Sequence, residues 1–256
     1  MTLFTKIRQV LKLVIPNYLL LFRRQFLIRK AIKRRDEELQ DKTTSEKFSY
    51  IYERRLWGGT ASDRHFTSGH GSHLAEHVNP YVNAVRAFLF SLPKTPDVVD
   101  LGCGDFAVGS QIREWSRSYV ACDVAGNVIQ ANRQKFYKLR VDFRELNIIE
   151  DNLPKGDVAL IRQVFQHLSN KDITRVIPKL YSYPYVILTE FIPIGHFVPN
   201  IDQPTGVASR IARGLRSGIL LTAPPFLLRV KSESILCVSD EANPRGQLVT
   251  TLYELT

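Results

Sequence analysis

The chain of 256 residues is long enough for one sizeable domain with appendages, and its apolar fraction of 44% is ordinary for a globular protein. The net charge of +10 is concentrated at one end, because residues 1–35 contain ten Lys or Arg and no acid, which leaves 25 residues of each sign in the rest. The three cysteines have no paired spacing, which argues against a cysteine zinc motif and a disulfide framework and indicates a reducing compartment.

The basic amino-terminal segment has the pattern of an amphipathic helix. Its apolar face carries Leu3, Ile7, Val10, Leu11 and Val14. Pro16 interrupts the pattern, and a second apolar run over residues 18–28 is interleaved with arginines. No uncharged stretch reaches the roughly 18–20 residues that cross a bilayer, and no small-residue signal cleavage site follows. The sequence therefore predicts a helical arm over residues 1–47 and a domain over residues 48–256.

A basic amphipathic arm has three possible partners. Residues 1–35 suit an anionic membrane surface, which attracts both the apolar face and the arginines. Packing on the chain's own domain or self-association is the second possibility, and nucleic acid is the weakest of the three.

A loop rich in Gly, Ser and His extends from Trp57 to residue 72, and a helix is predicted over residues 74–89. Such a long loop of small residues is either disordered or functional. Four histidines crowd around it, namely His65, His70, His73 and His77, but their spacing does not match a zinc site. We therefore expect no metal here.

The central stretch runs from Val98 to Ala107 and predicts a strand, a tight turn and a helix, the last indicated by Val108, Ile112 and Trp115. Gly102 and Gly104 let the backbone turn sharply and let a ligand approach main-chain N–H groups. With Ala107 they also satisfy the loose dinucleotide fingerprint, and Asp123 lies about 20 residues further on, where a ribose-binding acid is expected.

Asp100 decides between the possible ligands. It is a carboxylate at the end of a strand that is otherwise apolar, and an ionised group there needs a cationic or hydrogen-bonding partner. A ligand ammonium would supply one. The motif Asp100-x-Gly102-x-Gly104 resembles the first motif of the class I S-adenosylmethionine-dependent methyltransferases, whose cofactor carries an ammonium at its amino-acid end. Asp105-Phe106 stands where that family often has a small residue.

The resemblance implies roles for several further residues. The loop with Cys103 would cradle the methionine part, Asp123 with Val124 would hold the ribose, and Asn147 with Ile148 would contact the adenine. Arg162 would lie in the cofactor pocket or orient the acceptor. The chain also looks like a bacterial subgroup of these enzymes that is marked by Trp57-Gly58, Ser68-Gly69-x-Gly71-Ser72, Cys103-Gly104-Asp105-Phe106 and Ala223-Pro224-Pro225-Phe226. In that subgroup the segment with Trp57, Ser68 and Gly69 would close over the cofactor.

Strands are further predicted over residues 119–123, 141–146, 156–162 and 185–190, with a helix over 128–136. This alternation predicts an α/β fold, a Rossmann-like, doubly wound and mostly parallel sheet preceded by the helical arm. Two late strands, over 234–239 and 247–253, predict a C-terminal antiparallel hairpin, with residues 192–217 as a loop over the acceptor side. Ligands bind such sheets at the carboxyl ends of the strands.

Methylation of a hydroxyl needs a base near the transferred methyl group. The candidates are His167, His196, Asp202 and Glu190. No Asn- or Asp-Pro-Pro-Tyr motif and no catalytic cysteine pair is present, which leaves a hydroxyl of a small molecule or glycan as the preferred acceptor. An RNA methyltransferase that uses the basic arm, a non-catalytic cofactor-binding scaffold and a dehydrogenase remain as alternatives. The protein is expected in the cytoplasm, peripheral on the inner membrane.

Overall fold

The computed structural model of the chain describes residues 17–59, 66–69, 71–241 and 246–255. The predicted helix over residues 3–14, His65, His70 and the tip of the predicted hairpin at residues 243–245 lie outside these ranges. Among the described residues, no helix is both long enough and apolar enough to cross a membrane.

Seven strands of the described chain form one sheet. They are β1 (Asp97–Leu101), β2 (Ser118–Asp123), β3 (Asp142–Glu145), β4 (Val158–Arg162), β5 (Tyr185–Pro193), β6 (Ser232–Glu241) and β7 (Gly246–Glu254). Their order is β3-β2-β1-β4-β5-β7-β6, with β1 to β5 parallel and β7 antiparallel to both β5 and β6. The predicted Rossmann-like sheet with an antiparallel C-terminal hairpin is therefore confirmed.

The centre of the sheet is apolar on both faces. Val98, Val99 and Leu101 in β1 are fully buried, as are Val158 and Ala159 in β4. Such runs are typical of parallel strands that helices cover on both sides. The strand order changes direction between β1 and β4, and in sheets of this type a ligand crevice opens at that point.

Five α-helices have bounds within the described residues. They are α1 (Asn17–Leu39), α2 (Thr44–Glu53), α3 (Ala75–Ser91), α4 (Gly126–Lys135) and α5 (Asn170–Leu180). Helix α5, which connects β4 to β5, was not predicted, although its sequence carries the signals. The Ser169 side chain caps its amino terminus, and Ile173, Val176, Ile177 and Leu180 form its buried face.

The prediction of an α-helix directly after the glycine loop was wrong. Two short 3₁₀ helices, Gly109–Gln111 and Arg113–Trp115, occupy the segment instead. Phe106 adopts a left-handed backbone conformation, with φ 59°, and its ring packs so closely on Gly109 that a Cβ atom there would lie 2.4 Å from the ring. Ile112 is still buried, as its spacing predicted, so the apolar pattern was interpreted correctly but the type of helix was not.

Helix α1 packs on the domain through its carboxyl-terminal half. Ile32 and Leu39 are buried in the same core cluster as Phe48, and Asp36 forms a bidentate ion pair with Arg213. The division of the chain near residue 48 stays a prediction.

The connection from β5 to β6 is the longest in the described part of the chain. It has no helix or strand from residue 194 to residue 231, in agreement with its proline and glycine content, but β5 itself continues through Pro193. Arg210 is almost completely buried within it and donates to the backbone oxygens of Ile201, Phe165 and Leu168. The segment is therefore fixed to the turn that follows β4.

Candidate active site

A cavity lies at the carboxyl ends of β1, β2 and β4. It brings together most of the site residues that were predicted from the sequence. The predicted residues that line it are Trp57, Ser68, Asp100, Gly102, Cys103, Gly104, Asp123, Val124, Asn147, Ile148, Arg162 and His167. Gly69 lies beside the cavity, where its carbonyl accepts the Ser72 N–H at 3.2 Å.

The glycine loop forms one wall of this cavity. Gly102 and Gly104 have φ of 84° and 53°, which favours glycine at both positions. Neither position has room for a side chain, because a Cβ atom at Gly102 would lie 2.4 Å from Val164 and one at Gly104 would lie 2.1 Å from Ser68. Burial raises the pKa of the Cys103 thiol well above its ordinary value, which keeps it protonated and argues against a nucleophilic role.

Asp100 has the environment that the sequence predicted. Its carboxylate is buried, lines the cavity and accepts a hydrogen bond from the Tyr119 hydroxyl at 3.0 Å. Among the described residues it forms no ion pair with a Lys or Arg. Burial raises its pKa to about 7, and the Tyr119 hydrogen bond only partly opposes this effect. A cationic group in the cavity would favour its ionised form.

Asp123 is held by the backbone of two segments. Its Oδ2 accepts the Gly104 N–H at 2.9 Å, and its Oδ1 accepts the Ala125 N–H at 3.0 Å. Burial raises its pKa, and the two backbone hydrogen bonds lower it in part. The carboxylate thus couples the glycine loop to the end of β2 and keeps acceptor capacity toward the cavity.

Arg162 ends β4 on the same side of the cavity. Its guanidinium lies over the Tyr81 ring at 5.2 Å, and its buried Nε and Nη2 atoms have no hydrogen-bond partner among the described residues. Burial lowers its pKa, and the nearby carboxylate of Asp100 opposes this effect. A guanidinium remains charged under these conditions, so the cavity contains a cation with free donors near an unpaired carboxylate.

Asn147 and Ile148 follow β3 and line the far end of the cavity. The Asn147 Oδ1 accepts the Ile149 N–H at 3.0 Å, which fixes the turn. Within the described part of the chain the amide nitrogen has no hydrogen-bond partner, so it can donate to a ligand. Val124 and Leu146 add apolar surface on this side.

The segment that was predicted to close over the site contacts the glycine loop. Ser68 and Asp105 are joined by hydrogen bonds in both directions, and the Trp57 Nε1–H donates to the Val207 oxygen at 2.9 Å. The Ser72 hydroxyl donates to Gln163 Oε1 at 2.9 Å. These contacts place residues 66–69 and 71–73 against the cavity.

His73 is a cavity residue whose individual role the sequence did not reveal. Its Nε2 lies 2.7 Å from the Asp105 carboxylate. This hydrogen bond raises the pKa of His73. Burial alone would raise the pKa of Asp105, but the bond and charge of His73, with the N–H groups of Ala107 and Ser68, lower it overall. The departure from the family motif at Asp105 was the available signal.

His167 also lines the cavity, in contact with Trp57 at a ring distance of 4.9 Å. Burial lowers its pKa to about 4, although the nearby backbone of Gly206 and Val207 opposes this effect, so the ring is neutral at pH 7. Its Nδ1 has no hydrogen-bond partner among the described residues, and its Nε2 lies 3.3 Å from the amide nitrogen of Gln166. A neutral imidazole in this position can accept a proton.

The other nominated bases lie elsewhere. His196 is exposed on the segment after β5, and Asp202 accepts the N–H of Asn170 at the start of α5. Glu190 accepts the N–H groups of Phe165 and Gln166 and so supports the turn after β4. None of the three lines the cavity, and neither does any residue of 192–217, although Val207 of that segment accepts the Trp57 Nε1–H at the cavity wall.

The sequence matches the model of the O-methyltransferase domain family over residues 34–184. No curated protein matches it. Similar solved structures include the N-methyltransferase NodS from Bradyrhizobium japonicum WM9 in complex with S-adenosyl-L-homocysteine, at 13% identity and a TM-score of 0.55, covering 81% of this chain and 98% of that one.

Two further structures share the fold. A SAM-dependent methyltransferase from Leishmania major has 14% identity and a TM-score of 0.56, covering 83% of this chain and 84% of that one. The 1,6-didemethyltoxoflavin-N1-methyltransferase from Burkholderia thailandensis has 15% identity and a TM-score of 0.54, covering 83% of this chain and 87% of that one. The family match spans more than half of the chain. The chain therefore belongs to the O-methyltransferase domain family, and it is a methyltransferase whose cofactor is S-adenosylmethionine.

Proposed function

We propose that the protein transfers a methyl group to a hydroxyl group of a small molecule or glycan. The observation that carries this proposal is His167, a neutral imidazole on the cavity wall whose Nδ1 has no partner among the described residues. Transfer to a hydroxyl requires removal of a proton, whereas much of the remaining catalysis is positioning. His167 is the base that accepts this proton from the acceptor hydroxyl.

The residues of the cavity fit the cofactor. The unpaired Asp100 carboxylate suits an ammonium group, and the free donors of Arg162 suit a carboxylate, so together they match the zwitterionic amino-acid end. Asp123 suits the ribose hydroxyls and Asn147 suits the adenine. The cofactor supplies an electrophilic methyl group when it is bound.

The motifs and the site together favour a hydroxyl acceptor. The Pro224-Pro225 pair is not among the residues that line the cavity. It follows Ala223, whereas the motif that aligns nucleobase amino groups in other methyltransferases begins with a polar residue. A hydroxyl acceptor agrees with the description of the family model. The three cysteines are free, which suits a cytoplasmic reaction.

The first experiment is calorimetry with S-adenosylhomocysteine and with NADH. We expect the protein to bind S-adenosylhomocysteine and not NADH. Binding of NADH alone would support the alternative that the protein is a dehydrogenase. The second experiment incubates the enzyme and labelled cofactor with fractionated extract of the native organism. Label in a small-molecule or glycan fraction supports the proposal. Label in RNA, or none in any fraction despite tight cofactor binding, supports the RNA enzyme or the scaffold instead.

A further inference from the structure

Helix α1 exposes an apolar patch next to unpaired positive charge. Phe26, Leu27 and Ile28 are 59%, 53% and 43% exposed. They are three consecutive residues, so their side chains point about 100° apart around the helix, whereas the other large exposed apolar residues of the described chain are scattered. A run of exposed apolar residues on a surface indicates an interaction site.

The charges around the patch have one sign. Residues 17–35 contain seven Lys or Arg and no acid. Arg23, Arg24, Arg29 and Lys30 are all exposed, and none of them forms an ion pair within the described part of the chain. The acids of the helix begin at Asp36, and they pair with Lys33, Arg34 and Arg213 instead. The amino-terminal half of the described helix therefore carries uncompensated positive charge.

The helix is held in a fixed position on the domain. The Asp36–Arg213 ion pair fixes one end, and the Arg29 guanidinium lies so close to Gly214 that a Cβ atom there would be 2.5 Å away. Ile32 is buried between these two contacts. Residues 23–31 are all exposed, although the Arg29 side chain reaches Gly214.

A second exposed apolar group adjoins the helix through the Arg29–Gly214 contact. Gly214 lies in a groove together with Ile194, Ile211 and Arg216. Arg216 donates to the Ile194 oxygen and accepts the Val198 N–H, and Ile194 and Val198 are 39% and 55% exposed. Ile194 and Val198 are therefore linked to the helix through Arg216, Gly214 and Arg29.

We propose that this docking surface, made of residues 23–30 with Ile194 and Val198, binds the surface of an anionic lipid bilayer. Apolar side chains enter the region between headgroups and acyl chains, and the flanking arginines pair with lipid phosphates. A nucleic acid fits less well, because it would leave Leu27 and Ile28 without an apolar partner. Ile28 is 11 residues from the end of α1, about 16 Å of helix, and Thr44, Phe48 and Tyr52 of the next helix line the cavity.

Binding to a bilayer requires neither the acceptor nor methyl transfer, so a binding assay alone tests it. The full chain is sedimented with vesicles of phosphatidylcholine, with and without phosphatidylglycerol. We expect binding to the anionic vesicles that weakens at high salt. The triple variant Phe26→Ser, Leu27→Ser, Ile28→Ser should bind at least about tenfold more weakly, and Arg23→Gln with Arg24→Gln should remove the preference for phosphatidylglycerol.

The matched control is Phe90→Ser, Leu227→Ser and Ile235→Ser, which removes three exposed apolar residues that lie outside the docking surface. This variant should bind vesicles like the wild type, and all variants should bind S-adenosylhomocysteine equally. Equal vesicle binding by both triple variants would overturn the proposal. So would tight binding of an RNA homopolymer without vesicle binding, or a change from dimer to monomer in the first triple variant with unchanged vesicle binding.

Discussion

Ser68 and Asp105 hold each other by two reciprocal hydrogen bonds. The Ser68 N–H donates to Asp105 Oδ2 at 2.8 Å, and the Asp105 N–H donates to Ser68 Oγ at 2.8 Å. The pair joins residues 37 positions apart and places Ser68 against Gly104. A side chain in the glycine loop therefore fastens the segment that covers the cavity.

Replacement of Asp105 should open this segment. In Asp105→Ala the N–H groups of Ser68 and Ala107 lose their acceptor, each at a cost of about 1–3 kcal/mol where it stays buried. We expect faster amide exchange over residues 66–69 and about tenfold weaker binding of S-adenosylhomocysteine. The control is Asp142→Ala, which removes an exposed carboxylate paired with Arg144 outside the cavity. Equal affinity in both variants would contradict the assigned role.

The same contact should depend on pH through His73. Because Asp105 raises the pKa of His73, the folded state favours the charged ring. Its contribution is complete below the ordinary pKa of 6.5 and is lost as the pH rises through the raised value. Protection of residues 66–69, corrected for intrinsic exchange, should therefore fall as the pH rises above the ordinary histidine value of 6.5. In His73→Gln this change should disappear, and a persistent change would assign it to another group.

The central part of the fold could be predicted from the sequence because its signals are local. The apolar runs that end at Leu101 and Arg162 and the glycines of the loop indicate strands and a ligand site without knowledge of distant residues. The Ser68–Asp105–His73 contact could not be predicted in the same way. It needs two segments that meet only in the folded chain, and in the sequence Asp105 is visible only as a departure from a motif.

The cofactor's amino-acid end should be held by Asp100 and Arg162. Because charge-assisted hydrogen bonds contribute about 1.5–3 kcal/mol, Asp100→Asn and Arg162→Gln should each weaken binding of S-adenosylhomocysteine by between about tenfold and a hundredfold. The control ligand is methylthioadenosine, which lacks the amino-acid end, and its affinity should stay unchanged. If the Arg162→Gln variant binds both ligands with normal affinity, Arg162 orients the acceptor and does not bind the cofactor.

The affinity for S-adenosylhomocysteine should also rise with pH. Asp100 has a pKa of about 7 in the free protein, and only its ionised form attracts an ammonium group. Binding should therefore strengthen from about pH 5 to pH 8 and then level off. Calorimetry over this range should show no such rise in Asp100→Asn.

Asn200 and the candidate base Asp202 both form hydrogen bonds with backbone groups of neighbouring segments. Asn200 has a left-handed backbone, with φ 55°, and its side chain bonds the backbone of Leu220 in both directions and the oxygen of Pro224. Asn200→Ala should lower the free energy of unfolding by about 2–4 kcal/mol, and Asp202→Ala by about 0.5–2 kcal/mol through loss of a bond at the start of α5. Denaturant titration checks both, and cofactor affinity at low temperature should remain normal.

The pH dependence of methyl transfer should identify the base. At saturating cofactor, a base with the pKa of His167, about 4, gives a rate that is constant above about pH 5. A base with the raised pKa of His73 instead gives a rate that increases above the ordinary histidine value of 6.5. We expect the first profile, together with a loss of about 10²–10⁴-fold in His167→Gln. Incorporation of labelled methyl into the active extract fraction measures both the pH profile and the loss of activity. If the rate instead follows the second profile and His73→Gln is inactive, His73 is the base. That histidine lines the same cavity and is oriented by a carboxylate.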